Sequence, residues 1–309
     1  MNLEPSNQKN LFNHNYYFNE LTYLHKKDKL PNKILFSGEK GIGKCTIAYH
    51  LINYILSQNE KHEYNLKNFE INPENKFFKL IQNKSNPNFN LIDVSEVKKN
   101  IDIDQIRNLI FNLNKTSFNL KPRFVLIDNI DLLNVNSINA LLKILEEPNK
   151  NINFILINNN KRVLPTLKSR CLNFKISLSN DQSIKIINKI LNDNIFDLLN
   201  DELITNYSTP GELFEMINFS KNFDIDLKNI NLKELLLLII KNKYFQKENK
   251  NSNLTYTLIE LYFRKNISLK NIKLINTYNY FLKKIRNTKK FNLDEESLLM
   301  EFEETVLNG

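Results

Sequence analysis

Residues 33–56 read KILFSGEKGIGKCTIAYHLINYIL. No other stretch restricts the fold as much. An apolar, strand-like run, KILFS, meets a loop carrying Gly38, Gly41 and Gly43, and Cys45 to Ser57 then has helical spacing. Strand, glycine-rich loop and helix, with Gly38, Gly43 and Lys44 in a G-x-x-x-x-G-K frame, form the context of a phosphate-binding loop. The glycines let backbone N–H groups turn inward, and the helix adds its positive end. Lys44 would then reach the β and γ phosphates of a nucleotide. An ordinary glycine turn is the weaker reading.

The remaining pattern alternates strands with helices. Strands are expected at 90–95, 123–131, 152–159 and 172–177, with helices at 101–113 and 137–148 and a short helix or turn at 163–171. Asp102 or Asp104 stands near the start of the first helix, and Pro148 stops the second. Residues 58–90 are polar, contain Pro73 and Pro87, and read as an irregular insertion. Alternation of this kind predicts a parallel sheet covered on both faces. After residue 177 the chain shows only amphipathic segments, at 180–193, 195–206, 211–220, 231–246, 252–266, 268–285 and 293–307, with a polar break at 218–231.

Position 45 breaks the loop motif. A Ser or Thr hydroxyl there helps hold Mg²⁺, whereas Cys45 offers a thiol, a poor ligand for a hard cation. Thr46 is rotated roughly 100° away on the helix and cannot substitute. Asp128 closes the strand RFVLID, where a Mg²⁺-holding carboxylate belongs. The next position, which carries a Glu base in ATPases of this class, is Asn129, a neutral amide. Asp131 reads as a helix cap. Arg170, in LPTLKSRC, has the planar fork that suits phosphate oxygens; out of context such an arginine is more often a surface ion-pair partner.

The formal charge is +9, as in proteins that meet nucleic acid, although lysine-rich coding alone produces it too. Cys45 and Cys171 make no disulfide framework and fit a reducing compartment. No metal site is legible in His14, His25, His50, His62 or the two cysteines. No leader and no apolar run long enough for a bilayer is seen, so a cytoplasmic protein is expected.

In this order and spacing, GEKGIGK, VLIDNID, NALLKILEEP and LPTLKSRC resemble bacterial clamp-loader subunits of the AAA+ class. The resemblance is close over residues 1 to about 177. Within the class it points to the non-motor, delta-prime kind, because the motor subunits (gamma and tau) carry Thr or Ser at the place of Cys45 and Glu at that of Asn129. They also carry a nucleotide-sensing Arg where STPGELFEM here offers Glu212. A four-Cys zinc module, usual in the motors and in many delta-prime subunits, has no counterpart in 57–90.

The resemblance implies a RecA-like α/β domain with a degenerate phosphate loop (1–177), a small helical lid (178–225) and a C-terminal helical collar domain (226–309). It implies that Arg170 acts on the ATP of a neighbouring subunit. On this reading Gly38, Gly41, Gly43, Lys44, Cys45, Thr46 and Asp128 form a degenerate, vestigial nucleotide site, no cofactor is required, and Mg-ATP binding there is expected to be weak. The implied partners are the gamma or tau motor subunits, the delta subunit and, through the complex, the sliding clamp and primed DNA. The rival readings are an ATP-hydrolysing motor subunit and an unrelated phosphate-loop kinase.

Overall fold

The structure is a computed structural model that describes residues 4–83, 85–94, 100–115, 119–146, 151–159, 163–204, 207–246, 249–266, 272–291 and 293–308. Ser95, Glu147 and Pro148, which belong to expected elements, lie outside these residues. The chain divides into two compact units, Met1–Leu178 and Ser179–Gly309.

The first unit is built on five parallel strands: β1 (Lys33–Ser37), β2 (Phe89–Ile92), β3 (Arg123–Ile127), β4 (Ile152–Asn158) and β5 (Leu172–Lys175). Their spatial order is β2-β3-β4-β1-β5, with Leu35 beside Leu156 and Val125 beside Phe154. The middle strands are apolar throughout because both faces are covered. Period-2 alternation sends Leu35, Val125, Ile127, Phe154 and Leu156 into one core. They meet Ile106, Leu109 and Leu113 of α4 (Ile103–Leu113) and Leu141 and Leu145 of α5 (Val135–Glu146). Alternation leaves Ile34, Phe36, Phe124, Leu126, Ile155 and Ile157, all buried, for the other face. On it lies α2 (Lys44–Leu56), packed in turn on α1 (Asn15–Lys26).

Local chemistry sets the helix ends. Asp102, not Asp104, is the N-cap of α4; its capping-box partner Gln105 accepts the Asp102 N–H at 3.0 Å. Asp131 is not at an N-cap position: it lies inside a 3₁₀ turn, Ile130–Leu132, whose N-cap is Asn129, and its carboxylate accepts the Asn159 N–H at 3.4 Å. The start of α5 is held by Asn134, whose side chain accepts the Ser137 N–H at 2.8 Å.

The 58–90 segment is more regular than its composition suggests. It contains α3 (Lys76–Gln82), which buries Phe77, Phe78 and Ile81. Asn75, fully buried, ties it together by accepting from the Phe78 N–H and the Asn53 side chain and donating to the His62 carbonyl.

In the second unit the helices are α7 (Asn180–Leu191), α8 (Ile195–Leu198), α9 (Pro210–Phe223), α10 (Leu232–Lys241), α11 (Asn249–Asn266), α12 (Ile272–Phe291) and α13 (Glu295–Phe302). The short α6 (Pro165–Lys168) belongs to the first unit. The continuous segment expected at 195–206 is broken: α8 ends at Leu198, and Asn200 caps a 3₁₀ turn at Asp201–Leu203. No described helix is long and apolar enough to cross a membrane. Residues 179–309 hold equal numbers of basic and acidic side chains, so the whole +9 belongs to residues 1–178.

Candidate nucleotide site and the arginine remote from it

The loop between β1 and α2 is shaped by three positive-φ glycines, Gly38 (156°), Gly41 (83°) and Gly43 (90°). Ile42, 1% exposed, anchors its centre. His14, just before α1, donates from Nε2 to the Ile42 carbonyl at 2.6 Å, and a Cβ on Gly43 would lie 3.1 Å from that nitrogen.

Lys44 is 3% exposed. Its ammonium donates to the Gly38 carbonyl at 3.0 Å and to the Glu39 carbonyl. Burial pulls its pKa down to about 8, against the charges of Asp128 and Asp131, so it remains largely protonated at neutral pH. Thr46 follows on α2, half-buried.

The residues around Asp128 are occupied with one another. The Cys45 thiol lies near the Asp128 carboxylate, and burial followed by that charge pushes the thiol pKa well up. Asp128 accepts the Asn129 N–H at 2.8 Å, and burial together with the Asp93 charge raises its pKa to about 6. Asn129 is in the left-handed region (φ 56°), which Asn tolerates well. Its amide donates to Asp93 at 2.8 Å and accepts from Asn159 at 2.6 Å. Asp93, Asn159 and His14 therefore belong to the site although the sequence did not single them out.

This donor set does not fit Mg²⁺. The ligand position next to Lys44 holds a thiol that burial and the Asp128 charge keep protonated, and Mg²⁺ selects oxygen ligands in near-octahedral geometry. No base is present at Asn129 either, where both ends of the amide are engaged. Cys45→Ser is expected to tighten Mg-ATP binding without restoring turnover, because Asn129 remains. Calorimetric titrations with and without Mg²⁺ check this, and equal affinities for both proteins would contradict it.

Arg170 is elsewhere. It follows α6 and precedes β5, and Leu172 of β5 pairs with Ile34 near the start of β1. The loop follows the opposite end of β1. Five strand residues separate the two ends, roughly 16 Å at 3.3 Å per residue. Arg170 donates from one terminal nitrogen to the Thr166 carbonyl at 2.7 Å and from the other to Glu146 at 2.5 Å. Glu212 serves local structure: with Thr209 it closes the capping box of α9, accepting the Thr209 N–H at 2.9 Å.

Two buried histidines make this unit sensitive to acid. Burial holds His14 down to about 4 and His50 to about 3. His50 is placed between the Tyr64 hydroxyl (2.8 Å) and the Gln8 carbonyl (3.2 Å). A base whose folded pKa is depressed contributes stability above its unfolded value of about 6.5 and loses it as the pH falls. At pH 5 each histidine costs about 2 kcal/mol, while the raised pKa of Asp128 returns about 1 kcal/mol. The first unit should therefore lose about 3 kcal/mol between pH 7 and pH 5. Urea titrations at both pH values test this; His50→Gln should remove about two thirds of the loss, and an unchanged loss would contradict the assignment.

A parallel sheet in this order, with a glycine loop between β1 and α2 and an aspartate closing β3, defines an α/β module of the AAA+ class. The family model described as DNA polymerase III, delta subunit, matches residues 13–180, and the chain belongs to that family. Among its relatives is the DNA polymerase III subunit delta' of Buchnera aphidicola subsp. Schizaphis graminum, 26% identical over 282 residues, covering 87% of this chain and 83% of that one. The subunit delta' of Pseudomonas aeruginosa is 33% identical over 139 residues, 45% of this chain and 40% of the relative. The subunit gamma of the same Buchnera is 28% identical over 245 residues, 77% of this chain and 65% of the relative. The chain is thus a clamp-loader subunit of the delta-prime type, acting in DNA replication.

Proposed function

We propose that this subunit does not hydrolyse ATP itself but supplies Arg170 to the ATP bound by a neighbouring motor subunit, and so helps to load the sliding clamp onto primed DNA. The observation that carries the reading is the placement of Arg170 at the end of the sheet away from its own loop, where it cannot serve that loop. The thiol at Cys45 and the amide at Asn129 support it from the other side, since they stand where the metal ligand and the base would be. The partners in this reading are gamma or tau motor subunits and a delta subunit. A net charge of +9 confined to residues 1–178 suits a unit that faces DNA, because Lys and Arg gain affinity by releasing counterions from phosphates.

The gamma relative makes an ATP-hydrolysing motor the second reading. Turnover by the purified chain separates the two. Loss of a general base alone typically removes about 10² to 10⁴ of rate, so the isolated chain should show no hydrolysis above background. Steady turnover that Lys44→Ala abolishes would favour the motor.

A further inference from the structure

We propose that Glu146 is the positioning residue that presents Arg170 to the neighbouring subunit's nucleotide; this rests on the reading of Arg170 as acting in trans. Glu146 is the last described residue of α5, and its carboxylate accepts from Arg170 at 2.5 Å.

Arg170 is held at two points on two elements. One terminal nitrogen is fixed by the Thr166 carbonyl of α6 and the other by Glu146 of α5. The backing is rigid, because Leu145 and Leu167, each next to or near these groups in sequence, are buried in the same apolar core. Two of the five guanidinium N–H groups make these bonds, so the fork keeps donors for phosphate oxygens. A long, rotamer-rich side chain is thereby aimed before the partner's ATP arrives, and a reacting group held in advance is what rapid turnover requires.

Stability is a poor explanation for the pair. The two side chains are 33% and 55% exposed, and an ion pair this exposed to solvent contributes little to folding.

The experiment uses the full chain reconstituted with its motor and delta subunits, and reads DNA-stimulated ATP hydrolysis as kcat and KM. Glu146→Ala should lower kcat about three- to tenfold with KM unchanged, a fraction of what misplacement by an ångström can cost. Glu146→Asp, one methylene short of the guanidinium, should behave like Glu146→Ala. Glu146→Gln, which keeps an acceptor oxygen at the same reach, should stay within about twofold of wild type. In an Arg170→Ala background, Glu146→Ala should cost nothing more.

A rise in kcat on removing the carboxylate would overturn the inference, since Glu146 would then restrain Arg170. So would a loss of kcat that persists in the Arg170→Ala background, or a silent Glu146→Ala where Arg170→Ala is crippling. A silent Arg170→Ala overturns the in-trans reading itself, and this inference with it.

Discussion

Gly38→Ala is expected to destabilise the first unit by about 3 to 5 kcal/mol, among the largest effects of a single substitution. Two costs combine. At φ 156° an L side chain is strained, and strain of this kind costs of order 1–3 kcal/mol. The new Cβ would also stand 2.2 Å from the Ile176 carbonyl oxygen and 2.9 Å from Ile42 Cδ1. The first of these is backbone just beyond β5, hydrogen-bonded to β1 through the Ile176 N–H and Ser37 carbonyl at 2.8 Å, so it yields only if the sheet edge moves. A denaturant titration of Gly38→Ala against wild type measures the difference. A change below about 1 kcal/mol would mean that the loop relaxes freely and that Gly38 is no geometric requirement.

This glycine links fold and site. It lets β1 end against β5 and turn at once into the loop that holds Lys44. The loop has kept its shape, with Ile42 buried and His14 bonded across it, although the metal ligand and the base are replaced.

Much of the first unit was legible because strand and helix periods differ and because glycine, proline and aspartate punctuate them. KILFS, RFVLID and INFILINN are short apolar runs that only a doubly covered sheet accommodates. Helix α3 was missed because KFFKLIQ is seven residues amid Asn, Pro and Lys, too short to show a period, and it is held by Asn75 rather than by a long apolar face. Helix α1 was missed because Tyr16 and Tyr23, among its aromatics, are exposed and blur its buried stripe of Phe18 and Leu21. The break at Leu199–Asn200 is not legible in the sequence because the capping asparagines sit in a chain rich in asparagine everywhere.

Within the site, Lys44, Cys45 and Asp128 could be read because they belong to motifs. Asp93, Asn129 and Asn159 meet only because β2, β3 and β4 are neighbours in the sheet, an adjacency that the order along the chain does not reveal. The pairing of Glu146 with Arg170 spans 24 positions and likewise depends on the packing of α5 beside α6.

The second large effect is expected at Arg170. An arginine supplied in trans is worth about 10³ to 10⁵ in turnover in the strongest cases, or roughly 4 to 7 kcal/mol at 1.36 kcal/mol per decade. One site among several in a clamp loader should show less, about 10- to 100-fold in DNA-stimulated hydrolysis. Arg170→Ala should leave folding nearly unchanged, since an exposed ion pair contributes about 0–1 kcal/mol. Arg170→Lys should not rescue activity, because a point charge lacks the two-pronged geometry of guanidinium. The most direct test is clamp loading onto primed DNA by one reconstituted complex carrying either Arg170→Ala or Lys44→Ala in this subunit. The account predicts a strong defect with Arg170→Ala and near-normal loading with Lys44→Ala; a crippled Lys44→Ala beside a silent Arg170→Ala would place the working chemistry in this chain's own loop and contradict it.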